Sequence, residues 1–480
     1  MQPRVLLRIV TLLLALFSLS LFVPAVLAWA LDEPTQRIFL LSAIGMLLFS
    51  VALWFPVRSC RAELRLRDGF LVVVLSTFAL SLAGSVPFMF TPGLSFVDAL
   101  FESASGLTST GATVVTGLDS LPRSTLIYRQ ILQWLGGMGV IVLAVAVLPM
   151  LAIGGMQAYR ALTPGPMKFN RLTARIVESA RGLWYLYIGL TAACAIAYWL
   201  AGMTAFDAIA HSMSTISLGG FSTHDDSFAY FDDPVIEAVG IVFMLIAGIN
   251  FAWHFIAWRH ASLQPYRDSQ ELRTYGIVLA VVSAITIVVL STRSVTHPDE
   301  AARHGVFQAV SMGVTAGCTT TEYHRWPSFL PLLLIMVSFI GGCAGSTGGG
   351  LKVIRVLLLL KQAGREIRRL IHPNASFSVK IGDRSIGIDV IDSVWGYFAL
   401  YMVCFCIMTV LLAMVGVDLV TAFSAVAACI NNLGPGLGEV AYDYAGLGDF
   451  AKLTLCMAML IGRLEVFSLL ILLTPEFWKK

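Results

Sequence analysis

Apolar runs recur along the whole chain, most of them about 20 residues long, the length a helix needs to cross a hydrocarbon core of about 30 Å. Polar stretches between them are short. The runs do not alternate over about ten residues as β-barrel spans do. The pattern therefore predicts an all-α polytopic membrane protein. The first run extends from Val5 to Trp29. Signal peptides have an apolar core of about 7–15 residues. Despite the Ala28-Trp29-Ala30 motif, this longer run is expected to remain as an uncleaved first span, and a second follows at 36–57.

Behind this spacing lies an internal repeat. FVDALFESASGLTSTGAT, AFDAIAHSMSTISLGGFST, VFQAVSMGVTAGCTTTEY and VTAFSAVAACINNLGPGLGE align on Gly111, Gly220, Gly317 and Gly434, at spacings of 109, 97 and 117 residues. Asp98 and Asp207 each fall thirteen residues before their glycine, and Ser105, Ser214, Ser311 and Ala428 fall six before. Each segment lies between two apolar runs, giving the unit span, short helix, glycine loop, span. Residues 1–58 form two N-terminal spans. Repeats follow at 66–155 (loop 108–114), 182–260 (loop 217–223), 272–361 (loop 314–320) and 389–474 (loop 431–437). Ten transmembrane helices result. The short segments, with about 10–14 residues, cannot cross a bilayer as helices. They are expected to be re-entrant, four units around a pseudo-fourfold axis with a central pore. Non-helical backbone survives at membrane depth only where protein buries it or water lines it.

Charge orients this arrangement. Lys and Arg collect in alternate loops, among them Arg58, Arg61, Arg65 and Arg67, then residues 160–181, 259–273 and 361–384, whereas THDDSFAYFDDP and GEVAYDYAGLGD are acidic. The positive-inside rule places the basic loops and both termini in the cytoplasm. With 57% hydrophobic and 13% charged residues, the composition leaves little for a soluble domain. Eight scattered cysteines, with no CxxC pair, read as small buried hydrophobes rather than a metal or disulfide framework.

Glycine admits positive φ and close backbone approach. Four such loops can turn carbonyl oxygens toward one axis and replace the hydration shell of a monovalent cation. The C-terminus of each short helix, carrying about half a negative charge, adds to that preference. An anion path would call for helix N-termini or Arg rings instead. A single glycine loop reads as an ordinary turn between helices; four in register read as a pore.

TSTGATV at 108–114, SLGGFST at 217–223, TAGCTTTEYHRWPSF at 315–329, NNLGPGLGEV at 431–440 and IGRLEVF at 461–467 carry a resemblance. The chain resembles the Trk/Ktr/HKT superfamily of potassium transporters, and within it the membrane subunits of bacterial Trk systems, over all ten predicted spans. The resemblance implies potassium uptake across the inner membrane, with K+ at Thr110, Gly111, Ala112, Gly219, Gly220, Phe221, Ala316, Gly317, Cys318, Leu433, Gly434 and Pro435. Relatives with glycine in all four loops tend to prefer potassium, and the serine that accompanies sodium transport in some plant relatives is absent here. Cys318 replaces the family's aromatic residue. Pro435 lacks an N–H, so the fourth loop is not expected to match the others. The resemblance also implies a homodimer and a cytoplasmic nucleotide-binding regulator, TrkA, for which the loops 153–181, 259–273 and 361–388 offer docking surface. No cofactor is expected on this chain.

GGCAGSTGGG, residues 341–350, falls halfway down the second span of the third repeat. Glycine costs roughly 1 kcal/mol per residue inside a helix relative to alanine, so a break is expected, with Ser346 and Thr347 satisfying freed backbone groups. A GxxxG packing surface and a phosphate loop are alternatives, but Leu351 separates Gly350 from Lys352 and spoils the phosphate-loop pattern. The resemblance implies an intramembrane gate at Gly341, Gly342, Gly345, Ser346, Thr347, Gly348, Gly349 and Gly350, and a pore-facing arginine at Arg463. A buried pair of Arg463 with Glu465 competes with that role. GGMG at 136–139 reads as packing, and Asn250 and His254 as helix-to-helix hydrogen-bonding groups. A proton- or sodium-coupled symporter is the alternative mechanism. A membrane enzyme would need a nucleophile or metal motif, and none is found.

Overall fold

The computed structural model describes residues 2–60, 66–142, 172–293, 297–327, 329–382 and 384–479, and these are mostly helical. The N-terminal run forms α1 (Pro3–Ser20) and α2 (Phe22–Ala30), followed by α3 (Gln36–Trp54). The first unit comprises α4 (Leu66–Phe90), the short α5 (Phe96–Leu107) and α6 (Arg123–Val142). The second comprises α7 (Leu172–Leu200), short α8 (Ala205–Ser217), α9 (Pro234–Ala247) and α10 (Phe251–His260). The third comprises α11 (Gln270–Thr292), short α12 (Pro298–Gly313), α13 (Leu330–Ser338) and α14 (Val353–Ile371). A two-residue hairpin, Lys380–Ile381 against Arg384–Ser385, leads into the fourth. That unit comprises α15 (Ile388–Met414), short α16 (Leu419–Ile430), α17 (Asp449–Leu464) and α18 (Val466–Leu470).

Local chemistry sets the starts of the short helices. Ser95 Oγ accepts from Asp98 N at 3.2 Å, and Thr204 Oγ1 accepts from Asp207 N at 3.1 Å. Each hydroxyl also donates to the aspartate three residues on. These are N-caps whose hydroxyl is held in place by the carboxylate three residues on, which explains the aspartates shared by the first two repeats. Asp418 caps α16 through Val420 N and Thr421 N.

Among the described residues, six helices are long and apolar enough to span a membrane, or seven if one bent pair counts as a single span. The expected continuous second spans are corrected in three units. α9 and α10 meet at 90°. Residues 339–352 separate α13 from α14, and α17 stops where Glu465 has φ +61°. Each break has polar support. Asn250 Oδ1 accepts from Ala252 N at 2.9 Å and caps α10, so Asn250 makes a local cap and not the helix-to-helix bond expected of it. Gly248 O accepts from Cys343 N at 2.9 Å, and Phe251 N donates to Gly345 O at 3.1 Å. Backbone freed in one unit is thus satisfied by another. The remainder of the first unit's second span, the basic residues of 153–171, and Arg61 and Arg65 lie outside the described residues.

The short helices are deeply enclosed: all of α16 from Thr421 to Ile430 is buried except Phe423. Large apolar side chains on the long helices face outward instead, as Leu200 and Met414 do at 75% exposure. That inversion suits a hydrocarbon surround.

Candidate functional site

All four short helices end alike. Ser109, Leu218, Thr315 and Asn432 adopt φ of +50°, +52°, +62° and +52°. The next residue's N–H reaches back five positions: Thr110 to Ser105 O, Gly219 to Ser214 O, Ala316 to Ser311 O and Leu433 to Ala428 O, at 2.8–2.9 Å. This is a Schellman-type termination. The residues six before each glycine are therefore the carbonyl acceptors of the caps. The glycines then take φ of +86°, +81°, +73° and +100° at Gly111, Gly220, Gly317 and Gly434. The last value stands apart from the other three, in the loop that carries Pro435.

The four loops close on one another. A Cβ on Gly111 would come within 3.0 Å of Gly219 O, one on Gly220 of Ala316 O, one on Gly317 of Leu433 O, and one on Gly434 of Thr110 O. Each glycine thus packs on the carbonyl that precedes the next repeat's glycine, and the fourth returns to the first. Real Cβ atoms essentially never approach so closely, so only glycine permits this cycle at these φ values.

Behind the loops the repeats differ. Glu102 and Arg129, both buried, pair at 2.7 Å between Nε and Oε1. Glu102 also accepts from Thr113 Oγ1 and Val114 N at 3.0 Å, and Arg129 Nη1 donates to Ser222 O at 3.0 Å. One ion pair therefore braces the outer ends of two loops. Not every carbonyl of the predicted triplets is left to the axis. Phe221 O accepts from Gln130 Nε2 at 3.0 Å, Cys318 O from Ser311 Oγ at 2.7 Å, and Gly434 O from Tyr444 Oη at 2.7 Å. Ala112 is buried beside its glycine, and Pro435 Cδ faces Gly317.

Beneath the cycle lies the 341–350 stretch. Thr347 Oγ1 donates to Ile216 O at 3.0 Å, Gly349 N to Thr315 Oγ1 at 2.6 Å, and Gly350 N to Asn431 O at 3.1 Å. Arg463 Nη1 donates to Thr347 O at 2.7 Å, and its Nη2 to Ser109 Oγ at 3.0 Å and Gly136 O at 3.2 Å. The stretch and Arg463 together touch the C-terminal end of every short helix. Lys352 Nζ adds a second cation against Gly348 O, 3.4 Å from Ser346 Oγ. Cations sit well at four helix C-termini. Around the edge, Ala344 N donates to Glu271 Oε1 at 2.7 Å. Glu465 does not pair with Arg463; it binds Arg355 at 2.8 Å, because its left-handed backbone ends α17 and turns the side chain toward α14. His254 bonds Tyr266 Oη at 2.7 Å and Ile246 O at 2.9 Å, across segments as expected. Of the GGMG glycines, Gly136 packs on Leu107 O and Gly137 on Ser217, whereas a Cβ on Gly139 would meet nothing within 4 Å.

Glu102, Arg129, Glu271 and Lys352 were not singled out from the sequence. Charged residues within apolar stretches were the available signal. The left-handed residues 109, 218, 315 and 432 share no residue type, so nothing in their letters marks them.

The family model TrkH, described as cation transport protein, matches residues 35–480. The chain is 51% identical to the Trk system potassium uptake protein TrkH of Vibrio parahaemolyticus and 48% identical to that of Escherichia coli, each over 100% of both chains. It is 40% identical to the Trk system potassium uptake protein TrkG of Escherichia coli, over 97% of this chain and 96% of that one. The crystal structure of the potassium transporter TrkH from Vibrio parahaemolyticus superposes with a TM-score of 0.93 at 49% identity, covering 100% of each chain.

Proposed function

Because this chain belongs to the TrkH family of cation transport proteins, which are transporters and not enzymes, we propose that it takes up potassium across the bacterial inner membrane through a carbonyl-lined filter at its four glycine loops. The closed cycle of Gly111, Gly220, Gly317 and Gly434 on their neighbours' carbonyls carries the reading. Four oxygens converging on one axis replace the water around a dehydrated monovalent cation, and four helix C-termini favour positive charge there. In this reading ten spans surround the pore, two of them before the first unit. The triplets at 110–112, 219–221, 316–318 and 433–435 line the filter.

Residues 341–350 and Arg463 form the gate. The stretch fills the space under the filter, and the fixed guanidinium raises the barrier to a passing cation. Supporting this, the stretch is bonded to the ends of α8, α12 and α16, and Arg463 reaches the end of α5. Opening requires those few bonds to exchange, not a helix to unfold. A TrkA-like cytoplasmic regulator docks on the basic loops of a homodimer, drawn by clusters such as exposed Arg368 and Arg369 of α14.

Rubidium uptake into liposomes holding the purified chain, with sodium as competitor, tests the reading. Potassium and rubidium are expected to enter and sodium to compete poorly. Equal sodium and potassium permeability would overturn it.

A further inference from the structure

The second loop is built differently from the other three. At the position before its filter glycine it carries another glycine, Gly219, where the other loops carry Thr110, Ala316 and Leu433. Two adjacent glycines make the least constrained backbone of the four. That same loop faces three buried polar side chains of α6, a helix of the first unit: Arg129, Gln130 and Gln133. Gln133 is the one that straddles the filter glycine. Its Nε2 donates to Gly219 O, and its Oε1 accepts from Phe221 N at 3.1 Å. Only one orientation of the carboxamide satisfies both bonds. A Cβ at residue 219 would come within 3.0 Å of Cδ, Oε1 and Nε2 of Gln133. Gly219 is therefore the residue that admits the carboxamide, and the carboxamide restrains the backbone that Gly219 loosens.

The clasp also reaches the neighbouring loop. Gly219 O, held by Gln133, is the oxygen on which Gly111 packs. The direction of this one carbonyl thus sets how closely the two loops approach at Gly111. We propose that Gln133 is a positioning residue for ion selection: it fixes the two peptide units around Gly220, and with them the size of the oxygen ring between the first two loops. The inference rests on the filter reading above. A ring of fixed size discriminates between alkali ions of different radius; a ring whose second member swings freely adapts to the smaller ion. Gln133 touches no ion in this role and acts only through the backbone.

Its test compares rubidium and sodium fluxes in liposomes for wild type, Gln133→Met, Gln133→Glu and Gly219→Ala. Gln133→Met keeps the side-chain volume and loses both bonds. Gln133→Glu still accepts from Phe221 N and loses the donor to Gly219 O. Gly219→Ala displaces the carboxamide from the loop side. Each is expected to lower the preference for rubidium over sodium by about tenfold, as the loss of one or two buried hydrogen bonds predicts, while in the two Gln133 variants rubidium flux falls far less. A folded variant with the wild-type ratio, or one in which both fluxes fall in proportion, overturns the inference. So does failure of all three variants to fold, which would assign Gln133 to stability alone. A wild type without preference sinks the filter reading itself, a distinct outcome.

Discussion

At the scale of single residues, the glycines decide most. Gly317 has the closest approach of the four, to Leu433 O, at φ +73°. Gly317→Ala meets that carbonyl and also places an L side chain in the left-handed region, at roughly 1–2 kcal/mol. Loss of rubidium-over-sodium preference by about tenfold or more is expected in competition flux. The glycines were legible in the sequence because four aligned. Their left-handed companions at 109, 218, 315 and 432 were not, since Asn takes that conformation readily but Ser, Leu and Thr take it here within the Schellman bonds. Arg463 was legible as a charge inside an apolar run, but its partners were not. A unit charge about 4 Å away is worth about 4 kcal/mol at an effective dielectric of 20. Arg463→Ala should therefore raise regulator-free potassium flux at least about tenfold. Unchanged flux in that variant and in one with a shortened 341–350 stretch would remove the gate assignment.

At the scale of elements, the short helices are fixed by their ends. Thr204 starts α8 as an N-cap whose hydroxyl is held by Asp207. Thr204→Ala should cost about 1 kcal/mol and lower the thermal midpoint, read by intrinsic fluorescence of the detergent-purified protein; an unaltered midpoint would mean the cap is idle. The long helices were predictable in number of apolar runs but not in continuity. Hydropathy counts VIEAVGIVFMLIAGINFAWHF as one span, yet it bends by 90° at Gly248–Asn250. Asn250 looks like a bonding group between helices in the sequence, because its capping of α10 depends on a bend that His254 and, from outside the local segment, the 341–350 stretch support. Asn250→Leu removes the cap and leaves Ala252 N unsatisfied. Rubidium flux in liposomes should rise as the stretch loses its anchor at Phe251; wild-type flux would show the cap and the gate to be independent.

At the scale of the whole molecule, the units are tied to each other outside the glycine loops as well as in them. His224, after the second loop, contacts Asp119 of the first unit and stands 3.5 Å from Asp207 Oδ1, stacked on Tyr230. Partial burial pushes the imidazole down; its two carboxylate neighbours overcome this and hold it above its ordinary range. A raised histidine contributes stability that is full below its unfolded value of about 6.5 and fades as pH rises through the folded one. Thermal midpoints should therefore decline above about pH 6.5 in the wild type, and His224→Asn should flatten that slope. Identical slopes would show that the link carries no charge.

The sequence by itself determined the membrane class, the short helices and the four aligned glycines that follow them, because these follow from hydropathy, length and local backbone freedom. Which carbonyl each glycine meets, which side chains brace the loops from behind, and where spans break were decided only by the tertiary structure. Gly111 and Gly219 are 108 positions apart, as are Gly117 and Asp225, and Arg463 lies 354 from Ser109. Contacts at such separations exist only once the units close around a common centre, and no local propensity encodes them.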